Sequence, residues 1–268
     1  MSIGVTRIAD TFFDLRILQR VFPQLIETGL PNTLILSAGA MVVGLVAGLI
    51  FALVLLSKRP WVRAIGRTYV NIFRGIPHIV SIYIIGEGLP LAGISIFGSN
   101  TYLYAMLAIG IVEGSYISEI LRSGIRGIAR GQFEAGEGVG MTHSQVMRHV
   151  ILPQAARNIL PALTGQLNLV IKNTALVFLL GLGVNQRELF SIAQDSSSNN
   201  ASLTPFVAAG IMYLAITLPL SYFVTRLDRR MGRGGGRVRG VSKNRDFMAP
   251  DFPSGPLEHT TISTGGAG

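Results

Sequence analysis

A run of charged and glycine-rich residues stands between long apolar stretches of this chain. It reads Gly131-Gln132-Phe133-Glu134-Ala135-Gly136-Glu137-Gly138-Val139-Gly140-Met141-Thr142 and continues to Ile151-Leu152-Pro153-Gln154-Ala155. Acids, bases and glycines in such a block suit recognition by something on the aqueous side and transmission of force, not bond making. A first helix is predicted over 129–138, broken by Gly138 and Gly140. Thr142-His143-Ser144-Gln145 then matches a capping box, with Thr142 as N-cap and Gln145 three residues on. Met141 and Val146 are placed to form the flanking hydrophobic staple. A second helix is predicted from His143 to about Ile151, ending before Pro153. The two make a helix–turn–helix knob within 129–156. The plainer alternative is an ordinary loop, which would need neither paired caps nor two acids at a sharp turn.

A second set of chemically capable residues lies inside apolar sequence. Glu113 and Lys172 fall near the middle of two such stretches, with Asn168 one helical turn from Lys172 on the same face. A charge at the centre of a bilayer costs roughly 2.5–3.5 kcal/mol on insertion scales. Two opposite charges on adjacent antiparallel helices are therefore expected to face each other or a cavity. One reading is a buried ion pair that fixes helix register. The other is a substrate site near the midplane, where Lys172 would meet a carboxylate and Glu113 an ammonium. His78 is a further candidate for lining the pathway.

Other chemistries find no support. Gly136-x-Gly138-x-Gly140 follows no strand, and no P-loop sequence occurs, so the chain is not expected to hydrolyse ATP or to be an enzyme. The 4 histidines are scattered and there are 0 cysteines, so no metal centre, disulfide or cofactor is expected.

These residues must be positioned by membrane helices. Hydrophobic residues make up 49% of the 268, charged residues only 14%, and mean hydropathy is +0.48. Soluble domains carry about 25% charged residues. A bilayer core needs about 20 apolar residues per helix. Five spans are predicted, at about 32–56, 70–91, 101–121, 158–182 and 205–224, the second of them broken-looking at Arg74-Gly75-Ile76-Pro77 near its start and at Gly86-Glu87-Gly88 and Pro90 near its end. Basic residues concentrate in 58–67, 122–157 and beyond 226, whereas the turn at 93–100 and the loop at 185–204 are poor in them. With five spans, that asymmetry puts the N-terminus outside and the C-terminus and knob in the cytoplasm. The net charge of +9 follows this distribution and does not indicate nucleic acid as a partner. Val5, Ile8, Phe12, Leu15, Leu18 and Phe22 form one face of an amphipathic helix within 1–30. It would lie on the membrane surface or pack on the bundle. The Gly- and Arg-rich segment 232–268 lacks the apolar content for a core and is expected to be a disordered tail. Arg226, Arg229, Arg230 and Arg233, around its start, are placed to meet anionic lipid.

The knob resembles a known element. Glu134-Ala135-Gly136, three residues, Gly140, nine residues, Val150, one residue and Leu152-Pro153 follow the EAA loop of ABC-importer permeases. More narrowly, the chain is similar to the polar-amino-acid permeases, the importers of histidine, arginine, glutamine and glutamate. Further blocks in the same order are 69–77 (Tyr69 to Pro77), 115–125 (Ser115 to Ile125), Gly131-Gln132, Leu152-Pro153-Gln154-Ala155 and 171–176 (Ile171 to Leu176). The resemblance covers about 28–231. It implies an all-α, five-helix, multi-pass permease of the bacterial inner membrane, paired with a second permease of the same or a sister chain. It also implies docking of ATP-binding subunits through Glu134, Ala135, Gly136, Gly140, Thr142, Leu152 and Pro153, and delivery of substrate by an extracytoplasmic amino-acid-binding protein. The sequence departs from the family pattern at Gly136 (usually Ala), Val150 (usually Ile), Asn173 (often Asp) and His78 (usually apolar). An ion-coupled secondary transporter or channel is the alternative function. The missing inverted repeat and the knob argue against it.

Overall fold

The computed structural model describes residues 7–8 and 10–232, with side chains to Arg226. The expected tail at 232–268 therefore lies almost wholly outside the described residues. Among those residues all regular structure is helical. The helices are α1 (Leu15–Gln24), α2 (Leu30–Leu56), α3 (Pro60–Gly75), α4 (His78–Gly86), α5 (Gly88–Leu91), α6 (Thr101–Arg126), α7 (Arg130–Gly138), α8 (His143–Val146), α9 (Leu152–Asn173), α10 (Leu189–Asn200) and α11 (Thr204–Gly232). Four helical stretches are long and apolar enough to cross a membrane. A fifth is counted if the bent pair α3 with α4–α5 forms one span.

The pair α2–α6 is the frame on which the rest is mounted. α2 is apolar around its whole circumference, as a lipid-facing span must be. Leu34, Val42, Val46, Leu49 and Leu53 are exposed on its outer side. Along the middle of its inner side Ser37, Ala40, Gly44, Gly48 and Ala52 are small, which lets two backbones approach closely. A Cβ built on Gly110 of α6 would stand 2.5 Å from the Cβ of Val43 and 2.9 Å from the carbonyl of Ala40. Leu36, Ala40, Ile82, Ala105, Ile109, Val170 and Val177 close the core around this crossing.

Three elements differ in detail from their expected form. The stretch 70–91, expected to be broken near its start, bends by 109° between α3 and α4. Ile76 precedes a proline and is extended (φ −96°, ψ 138°), which ends α3, and Pro77 starts α4. The basic stretch expected as a loop at 58–67 is mostly helical, because Pro60 opens α3. The stretch expected as the fourth span, 158–182, changes character part way. α9 ends at Asn173, a tighter 3₁₀ segment follows over Thr174–Leu180, and Gly181 closes it at φ 63°.

The segment before α2 packs on the bundle. Val21 and Leu25 are buried against Leu189, Ile192, Ala193, Ala208 and Ala209, whereas Leu15 and Phe22 of the expected apolar face are exposed at 70% and 42%. The base-poor loop after the fourth span contains α10, capped by Glu188. Its carboxylate accepts from the Phe190 and Ser191 backbone N–H groups at 2.6 Å and from the Tyr213 hydroxyl at 3.0 Å. Burial pushes the Glu188 carboxyl above the usual carboxylate range, against the lowering effect of the Ser191 and Phe190 hydrogen bonds.

Candidate functional site

The knob is a two-helix hairpin joined directly to a membrane span. α7 ends at Gly138, and Gly140 takes φ +83°, a conformation open to glycine at no steric cost. The capping box is present in full. Thr142 Oγ1 accepts from the Gln145 N–H at 3.4 Å, and Gln145 Oε1 accepts from the Thr142 N–H at 2.8 Å. The second helix does not stop before Pro153. A π turn over Met147–Ile151 follows α8 and leads straight into α9, with Pro153 in the first turn, where its missing N–H costs little. The knob's second helix and the fourth span are thus one helical rod, His143–Leu180.

Gly136 faces the inside of this hairpin and is buried. A Cβ placed there would be 2.7 Å from Val146 Cγ2. Val146 is β-branched and fully buried, so it has little room to turn away. Gly136→Ala is expected to destabilise the hairpin by about 1–3 kcal/mol. Limited proteolysis should cleave 129–146 faster in that variant than in wild type. Glu134 and Ala135 lie on the outer face. Glu134 is 64% exposed and bonds Arg130 at 3.0 Å. Glu137 reaches His143 at 3.6 Å, and Phe133 stacks on the same histidine. Val139 (79%) and Leu152 (44%) are exposed apolar residues, and Pro153 is exposed as well. The outer surface of the knob therefore combines charge with bare apolar side chains.

The second site is a polar cluster in the membrane region. Glu113, on α6, is 1% exposed. Its Oε1 accepts from Asn173 Nδ2 at 2.6 Å, and its Oε2 accepts a short hydrogen bond from Gln166 Nε2. His78 Nε2 lies 3.9 Å from Oε1. The break at Ile76–Pro77 makes His78 the first residue of α4, and its ring stacks on Tyr116 at 5.3 Å. Arg74 covers the same tyrosine ring at 5.2 Å. One carboxylate is thus held by two neutral amides beside an imidazole. Among the described residues no cluster of three potential ligands for a metal ion is present.

Of the expected pathway residues, Glu113 and His78 meet. Lys172 and Asn168 do not join them. Lys172 is exposed on the outside of the single chain. Asn168 donates from Nδ2 to Ser221 Oγ at 3.2 Å, and its buried Oδ1 has no hydrogen-bond partner. The reason is helical geometry. At about 100° per residue, Gln166 and Asn173 are seven apart and share a face. Asn168 and Lys172 are turned well away from it. Glu113 and Lys172 therefore do not form the expected pair. In the sequence Asn173 stood out only as a departure from the family pattern, and nothing singled out Gln166 seven residues before it.

Comparison with known proteins shows the family and the fold. Residues 44–233 match the family described as "Binding-protein-dependent transport system inner membrane component". The probable amino-acid permease protein YxeN of Bacillus subtilis is 32% identical over 213 residues, covering 79% of this chain and 93% of the relative. The glutamate/aspartate import permease protein GltK of Escherichia coli is 35% identical over 214 residues, covering 78% and 93%. A crystal structure of an amino acid ABC transporter with histidines matches with TM-score 0.72 and 29% identity over 81% of this chain and 98% of that one. The MetNI methionine ABC transporter shares the fold at TM-score 0.63 and 22% identity.

Proposed function

The chain belongs to the family of binding-protein-dependent transport system inner membrane components, and we propose that within it this protein is the permease for a polar amino acid. As a family member it is a multi-pass inner-membrane subunit of an ABC importer. In our reading it binds no nucleotide. Separate ATP-binding subunits dock on the outer face of the knob at Glu134, Ala135 and Leu152. Gly136, Gly140, Thr142 and Pro153 give that face its shape. The knob lies in the cytoplasm and the N-terminus outside. A binding protein delivers substrate on the far side. An ATP-driven approach of two knobs moves the rod His143–Leu180, whose far part carries Gln166 and Asn173.

The observation that carries the substrate class is the buried Glu113 carboxylate. Burying a charge in a bilayer is costly, and the two amides beside it bring no compensating charge. The α-ammonium of an amino acid supplies one, with His78 and the amides positioned to set its orientation. Lys172 and Asn168 take a different role. An exposed lysine within a span needs cover, and a second permease subunit packed on α9 supplies it. A buried Glu113 would also suit the ion-gradient alternative, but membership in a binding-protein-dependent transport family argues against it.

The test is uptake by the reconstituted transporter with its binding protein, using each polar amino acid and its α-hydroxy acid analogue at equal occupancy of the binding protein. The amino acid is expected to be taken up at least about tenfold faster, the worth of one charge-assisted hydrogen bond. Equal rates would refute an ammonium site at Glu113.

A further inference from the structure

The end of the molecule that carries the knob also holds a basic cavity that transport leaves unused. Its volume is about 280 Å³, and it lies between the end of α2, α3 and the last turns of α6. Arg63, Arg67 and Asn71 line it at successive turns of α3, and Glu119, Arg122 and Arg126 line it from α6. Four guanidinium groups thus share a cavity with one carboxylate. That carboxylate is already engaged, because Arg122 Nη2 donates to Glu119 Oε2 at 2.6 Å and Arg122 Nε to both oxygens at 3.2 Å. Arg63, Arg67 and Arg126 form no ion pair among the described residues. The Nε of Arg63 is shut off from solvent and has no hydrogen-bond partner there. Like charges one turn apart on a helix destabilise it. Two such pairs facing one cavity are the donor set for a polyvalent anion.

The surroundings identify the anion. α3 exposes Trp61, Ile65 and Ile72 at 61%, 57% and 46%. By helical spacing these three share a face, and Arg63, Arg67 and Asn71 lie on the other side. A helix with exposed apolar residues on one face and bases on the other lies at the membrane–water boundary, where tryptophan is a preferred anchor. Arginine forks match phosphate oxygens bidentately. Basic pockets between spans at this depth take lipid headgroups.

We propose that this cavity binds the phosphodiester headgroup of an anionic phospholipid. Inorganic phosphate offers the same oxygens, so competition by free phosphate separates the two sources. Arg126 also lines the apolar groove formed with Phe133, His143 and Met147 at the base of the knob. A lipid held there braces the junction of α6 with the knob.

The test is native mass spectrometry of the chain purified with its ATP-binding subunit, counting retained phosphatidylglycerol and cardiolipin. Three samples are compared: wild type, Arg63→Gln/Arg67→Gln/Arg126→Gln, and Lys58→Gln/Arg59→Gln/Arg157→Gln, which removes equal charge outside the cavity. The expected result is tight anionic lipid on wild type and on the outside variant, undisturbed by inorganic phosphate. Retention should fall about fivefold or more in the cavity variant, the worth of a single base at a membrane surface. Should the triple variant fail to assemble, Arg67→Gln alone, at an exposed residue, is expected to lower retention at least about twofold. Equal losses in the two triple variants, displacement by inorganic phosphate, or unchanged retention would overturn the proposal. So would release of the ATP-binding subunit with lipid unchanged.

Discussion

Glu113→Gln is expected to lower amino-acid uptake by about 10- to 100-fold while leaving the complex assembled. The size follows from the geometry. A hydrogen bond to a charged group is worth about 1.5–3 kcal/mol, and each 1.4 kcal/mol is tenfold. The carboxylate is 1% exposed and receives donors from two side chains of α9, Gln166 and Asn173. A glutamine at 113 has one acceptor oxygen for those two donors, and its own amide nitrogen faces another N–H. One buried donor is left unpaired, at a cost of about 1–3 kcal/mol in stability. The loss of charge acts on transport and the loss of an acceptor acts on the fold, so the two effects separate. Uptake at saturating binding protein reads the first, and size-exclusion profile and thermal melting read the second. An intact, slightly less stable complex with sharply reduced uptake is the expected outcome. Full uptake in an assembled Glu113→Gln complex would make Glu113 a structural residue.

Glu134→Arg is expected to abolish ATP-driven uptake by the opposite route, through association. Glu134 is exposed, and its partner Arg130 is 91% exposed, so their pair adds at most about 1 kcal/mol to folding. The melting temperature of the permease should hardly move. At a docked interface the same change costs about 2–5 kcal/mol, because a charge partner is removed and a like charge put in its place. Retention of the ATP-binding subunit on an affinity column should fall at least about thirtyfold. Unchanged retention with normal uptake would remove the knob from the docking surface.

These two residues also mark how much of the molecule was legible in its sequence. The capping box at Thr142 and Gln145 is a local device, set by backbone groups within four residues, and it forms as read. Glu113 announced itself because a charge in an apolar stretch needs a reason. Its partners did not. Lys172 carries charge and drew attention, yet the faces of α9 are fixed by angle, and angle places Gln166 and Asn173 towards Glu113. Neutral amides give a weak signal beside a lysine. The break at Ile76–Pro77 was visible as a proline, but its 109° bend depends on tertiary packing. Pro153 misled in the other direction. A proline late in a short helix reads as a stop, whereas here the π turn before it makes it the first turn of the next helix. The packing of Val21 and Leu25 on α10 and α11 joins residues more than 160 apart in the chain, and no local pattern encodes it.

ATP-driven accumulation tests the central claim most directly. The chain, its ATP-binding subunit and its binding protein are placed in liposomes with ion gradients collapsed by ionophores. Labelled amino acid is then followed with and without ATP on the knob side. The account predicts accumulation above the external concentration only with ATP, and none when ATP is withheld. Accumulation that follows an imposed ion gradient and ignores ATP would contradict it.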